Sequence, residues 1–141
     1  MNDYLKLYTL KRMIFFSLML ITIPLWISAT EINDEISLAL KAGNAKELAV
    51  YFNKNIDLNI PENEGIFSKA QAELIMKEFF NNNTSIDFTI LHKGSSKDGA
   101  KYTIGNLTTK EGTFRAYYYM KANEDSFLIH EFSLNKEEKD R

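Results

Sequence analysis

Ser96-Lys97-Asp98-Gly99-Ala100-Lys101-Tyr102-Thr103-Ile104-Gly105-Asn106-Leu107-Thr108-Thr109-Lys110-Glu111-Gly112-Thr113-Phe114-Arg115-Ala116-Tyr117-Tyr118-Tyr119-Met120-Lys121 reads as two glycine-closed bends and the strands they join. In both Ser96–Ala100 and Thr109–Thr113 a glycine stands last of three loop residues, the sequence of a type I turn closed by a left-handed glycine. That chemistry predicts Ser96 opposite Ala100 and Thr109 opposite Thr113. Counting away from the second bend, Thr108 is expected to face Phe114, Asn106 to face Ala116, Ile104 to face Tyr118 and Tyr102 to face Met120. A slip of one residue would scatter this row, so turn and pattern point to one register. Gly105 is then expected on the other face beneath Tyr117. In the first hairpin the same count sets His92 opposite Ile104, Ile90 opposite Asn106 and Phe88 opposite Thr108.

The following loop, Ala122-Asn123-Glu124-Asp125, has no glycine and leaves two registers open. Four loop residues would set Tyr118 against Ile129 and Ala116 against Glu131; five would set Tyr118 against His130 and Ala116 against Phe132. The four-residue form would also turn Leu128, Phe132 and Leu134 outward beside Tyr117 and Tyr119, an apolar patch suited to a homodimer or a protein partner. The Tyr117-Tyr118-Tyr119 run also invites a carbohydrate- or aromatic-binding reading, since Tyr117 and Tyr119 share the outer face.

Upstream, apolar residues recur at helical spacing in Ile32, Ile36, Ala39 and Leu40, with Gly43 as the stop. Asn44 with Glu47, and Ser68 with Gln71, are capping boxes opening a short second helix and a third helix marked by Ala72, Leu74, Ile75, Phe79 and Phe80. Between them Ile56, Leu58 and Ile60 alternate with polar residues in a strand ended by Pro61, and Ile66-Phe67 returns beside it. From residue 86 the period becomes two, giving strands over 86–93, 101–108, 113–121 and 126–134. The charged segment 136–141 reads as a solvated tail.

Residues 1–29 have the form of an export signal: the basic pair Lys11-Arg12, an apolar run from Ile14 to Ile27, and a cleavage point between Ala29 and Thr30. The run is short against the roughly 20 residues of a spanning helix. A cleaved signal is therefore expected, leaving one domain over 30–135 in a periplasmic or extracellular location; a membrane tether follows only if the signal is retained. There is no cysteine, so the core must hold without disulfides. A formal net charge of −2 argues against nucleic acid as partner.

The order helix, short helix, strand, helix and long meander, with Ala39-Leu40-Lys41-Ala42-Gly43-Asn44-Ala45-Lys46-Glu47-Leu48 and Tyr51-Phe52, resembles the opening of the nuclear transport factor 2-like superfamily, the cystatin-like fold of ketosteroid isomerases and SnoaL-like proteins. Phe79-Phe80, Leu91-His92-Lys93-Gly94, Tyr102 to Leu107 and Gly112-Thr113-Phe114-Arg115 are similar to a family of small exported bacterial domains of unknown function within it. The resemblance implies an α+β, cone-shaped fold, with amino-terminal helices packed on a curved, mostly antiparallel sheet around a pocket. It also exposes a departure. Isomerase members carry a general-base aspartate before a proline at the end of the first strand, and here Ile60 precedes Pro61.

The expected registers direct His92, Tyr102, Asn106 and Tyr118 into the cone, with Glu131 or His130 joining according to the last hairpin. These residues are the candidate ligand pocket, for a small polar or aromatic molecule. Two histidines without further metal-ligand spacing predict no metal, and no cofactor motif is present. The leading reading is an exported, noncatalytic binding or interaction domain using the cone pocket or the outer sheet face, with an unidentified small molecule or protein as partner. The alternative is a lyase- or isomerase-like enzyme with His92, Tyr118 and Glu131 in acid–base roles, which requires those three to line one cavity.

Overall fold

The computed structural model describes Asp3 and residues 29–138; the rest of the expected export signal before Ala29, and residues 139–141 of the expected tail, lie outside the described residues. The helices α1 (Ala29–Ala42), α2 (Ala45–Val50) and α3 (Lys69–Asn82) pack on one face of a six-stranded sheet. Its strands are β1 (Phe52–Ile60), β2 (Asn63–Ser68), β3 (Ser85–Ser95), β4 (Lys101–Thr109), β5 (Gly112–Asn123) and β6 (Ser126–Lys136). The order across the sheet is β2-β1-β6-β5-β4-β3, antiparallel except where β1 runs parallel to β6. Among the described residues no helix is long and apolar enough to cross a membrane.

Local sequence chemistry sets the element ends. Asn44 Oδ1 accepts from Glu47 N at 3.1 Å, and Ser68 and Gln71 form a reciprocal capping box. Gly43 stops α1 with φ of +63°. On α3 the buried stripe is Ala72, Met76, Phe79 and Phe80, with Ile75 beside it. Leu74, expected in that stripe, is 66 % exposed, because it falls between the i, i+4, i+7 positions that face the sheet. The tail also starts later than expected: β6 runs through Lys136, and Glu137 N donates to Thr113 O at 2.9 Å.

The meander is where expectation and structure part. The first bend is as read, with Ser96 N donating to Ala100 O at 2.9 Å and Gly99 at φ of +85°. The second is tighter by one residue. Thr109 pairs with Gly112 around a two-residue loop, and the Thr109 hydroxyl closes it by accepting from Glu111 N and donating to Gly112 O. Every β4–β5 pair therefore shifts: Tyr118 faces Thr103, Ala116 faces Gly105, Phe114 faces Leu107, and Tyr102 faces Tyr119. Gly105 consequently lies on the inner face under the Phe88 ring, where a side chain would sit 2.5 Å from Phe88 Cζ.

Two bulges complete the correction. His92 faces Ile104 as expected, but the register shifts between Ile90 and His92, so Ile90 meets Gly105 and Phe88 meets Leu107. The last hairpin has neither four nor five loop residues but two, Glu124 and Asp125, and a second shift at His130 sets Tyr118 opposite Phe132 and Ala116 opposite Leu134. Phe132 and Leu134 are thus core residues, and the apolar outer patch built on them is absent. Each bulge adds local twist and bends the sheet around the helices.

Candidate functional site

The one-residue shift in β4 inverts the predicted pocket. Tyr118 alone of the five candidates points to the helices, and it is fully buried. Its hydroxyl donates to Asn33 Oδ1 at 2.8 Å, as does the Thr103 hydroxyl, while Ser37 Oγ donates to Asn33 O at 2.7 Å. The Tyr118 ring stacks on Phe132. Burial pushes its phenol up to about 12, against the neighbouring hydroxyls of Thr103 and Ser37, which pull it down. Among the described residues the centre of the cone is filled by buried side chains, and the polar groups around Tyr118 are joined to one another. Asn33 is a polar residue that the strand registers alone do not place in the interior. Its position three residues before Ile36 and seven before Leu40, on the apolar stripe of α1, is the signal that could have found it.

His92, Tyr102, Asn106 and Glu131 lie together on the opposite face, which among the described residues carries no helix. His92 Nε2 and the Tyr102 hydroxyl are 3.1 Å apart. The Tyr102 ring lies across Gly94, where a side chain would meet it at 2.3 Å, and it stacks on Tyr117 with centroids 6.5 Å apart and planes at 29°. Tyr119 stands between Tyr102 and Glu131 in the register, with Lys121 Nζ 5.6 Å above its ring. Partial burial, then the Glu131 carboxylate, raise the Tyr117 phenol, while burial and then Lys121 lower the His130 imidazole. Asn106 Oδ1 is buried in this face without a hydrogen-bond partner. The result is a strip of three tyrosine rings edged by an imidazole, an amide and a carboxylate.

A separate cleft of about 480 Å³ opens at one end of the cone. Its floor is Ile60, Ile75, Phe79 and Phe114, and its rim carries Glu62, Glu78 and Glu111 with Lys136. The sequence reading missed this site because it joins the β1–β2 turn, the end of α3 and the β4–β5 turn, three segments remote in the chain. Among the described residues no group of three or more His, Asp or Glu side chains is placed to hold a metal ion.

The family model for a domain of unknown function, DUF4783, matches residues 33–135, from the asparagine that holds Tyr118 to the penultimate residue of β6. The chain belongs to the DUF4783 family. A DUF4783 crystal structure from Bacteroides uniformis is 29% identical, covers 77% of this chain and 99% of that one, and superposes with a TM-score of 0.72. One from Bacteroides ovatus is 27% identical over 81% of this chain and 98% of that one, with a TM-score of 0.70. An NTF2-like protein of unknown function from Cytophaga hutchinsonii, 13% identical over 82% of this chain and 95% of that one, reaches 0.56 and shares the fold alone. The chain thus shares the NTF2-like fold, and the expected α+β arrangement with helices on a mostly antiparallel sheet is the observed one. No curated protein matches the chain. The tyrosine strip, and every residue named in the cleft except Lys136, fall within residues 33–135.

Proposed function

We propose that this DUF4783 domain is an exported, noncatalytic binding module that recognises carbohydrate on the helix-free face of its sheet, across Tyr102, Tyr117 and Tyr119. The observation that carries this reading is the strip itself: Tyr102 stacked on Tyr117 and Tyr119 on the same face, all three half-buried, with His92, Asn106 and Glu131 at the edges. A pyranose ring offers an apolar face to tyrosine and hydroxyls to the polar groups around it, so the two surfaces are chemically matched. Export is supported by the basic, apolar and small-residue pattern of residues 1–29. The enzymatic alternative loses its support, because Tyr118 is enclosed under the helices while His92 and Glu131 are exposed on the other face.

Affinity electrophoresis against a panel of soluble glycans tests the proposal. The wild-type protein is expected to be retarded in gels containing at least one glycan, and a Tyr102→Ser/Tyr117→Ser variant to run unretarded in the same gel. Free migration of the wild type across a broad panel, or equal retardation of the folded variant, would overturn it.

A further inference from the structure

The cleft at the end of the cone is independent of the tyrosine strip, and its chemistry selects a different ligand. Phe79 and Phe114 form its back wall, edge to face with centroids 5.1 Å apart, and Ile60 and Ile75 flank them. On α3, Ile75, Glu78, Phe79 and Asn82 recur at i, i+3, i+4 and i+7, so one helix face presents both an apolar stripe and a carboxylate to the opening. Glu62 enters from the β1–β2 turn, and Glu111 enters from the tight β4–β5 turn. Three carboxylates therefore surround an apolar floor, with Lys136 as the cation among them.

We propose that this cleft binds an amphipathic organic cation, an alkyl or aryl ammonium whose apolar body lies on Ile60, Ile75, Phe79 and Phe114 while its charged head sits among Glu62, Glu78 and Glu111. The rim favours a cation over an anion by charge. Among the described residues the carboxylates form no metal-binding group, so a spread organic cation suits them better than a compact metal ion. The volume fits a small molecule with a short chain.

The probes are n-octyltrimethylammonium and n-octanoate, which share a chain and differ in the sign of the head. Titration of the isotope-labelled protein is followed by backbone amide shifts. The ammonium is expected to move amides in residues 60–63, 75–83 and 111–114, with affinity falling at least about fivefold in Glu78→Gln/Glu111→Gln and falling again toward about 0.3 M salt. Octanoate is expected to leave those amides in place. Equal shifts from both probes would reduce the cleft to an apolar surface, and no shift from either would remove the site. An affinity for the ammonium that is indifferent to salt in the wild type would overturn the role of the carboxylates, whatever the behaviour of the variant.

Discussion

Tyr117 and Tyr118 are the same residue one position apart on β5, and the two faces of the sheet give them opposite lives. Tyr118 points under the helices, loses all solvent and has its hydroxyl fixed by Asn33 of α1, 85 positions away in sequence. Tyr117 points outward, stacks on Tyr102 and keeps part of its ring in water. The contrast shows what a strand decides locally and what it does not. Alternation guarantees that neighbours take opposite faces, yet which set faces inward is fixed by partners on other elements.

The comparison is broken most directly by removing each ring in turn. Tyr118→Ala is expected to cost about 3–5 kcal/mol, because it opens a cavity against Phe132 and takes a donor from Asn33. Tyr117→Ala is expected to cost less than about 1 kcal/mol, as a change on an open face. Urea unfolding of both variants reads the difference; similar losses would mean that the two faces are equally covered.

How far the sequence could be read follows the same division. The capping box at Ser68, the stop at Gly43 and the first bend at Gly99 are local and take the expected form, while Asn44 caps its helix through Glu47 N alone, without the return bond of a box. The bend at Gly112 has nearly the same sequence as the one at Gly99 but closes one residue earlier. Its choice is made with Phe88 over Gly105 and Thr103 beneath α1, contacts between distant segments. The shifts at Leu91 and His130 have no turn residue to announce them. The candidate residues suffered accordingly: His92, Tyr102, Asn106 and Glu131 do gather on one surface, but on the far side from Tyr118. The strand pattern grouped Tyr102 with Asn106 correctly and assigned the pair to the wrong face.

Gly105→Ala sharpens the comparison by testing the register itself, with an effect of about 1–3 kcal/mol. The new methyl would lie 2.5 Å from Phe88 Cζ and 2.7 Å from the Thr89 carbonyl oxygen, a backbone atom that cannot step aside alone. Destabilisation is therefore expected in a thermal melt. In the register read from the turn sequence, Gly105 would lie on the outer face, where alanine would be neutral or stabilising by up to about 1 kcal/mol. The sign of the change in Tm thus decides which face the residue occupies.

Tyr118→Phe makes the smallest change, deleting one hydroxyl while keeping the ring, and it adds a pH axis. At neutral pH the loss is expected to be about 1 kcal/mol, the worth of the bond to Asn33. In the unfolded chain the phenol titrates near 10, whereas in the fold burial holds it up to about 12. Raising the folded value means that the wild type keeps the full contribution below about pH 10 and loses it as pH climbs toward 12, at about 1.4 kcal/mol for each pH unit. The phenylalanine variant has no such group and escapes that loss. Tyr51, likewise raised to about 12 by burial and by its bond to Glu35, is common to both proteins and cancels in the difference. The wild-type advantage seen at pH 8 should shrink above pH 10 and vanish near pH 11, as measured by urea midpoints across that range. A constant gap between the two curves would place the Tyr118 hydroxyl in water, on the same footing as its neighbour at 117.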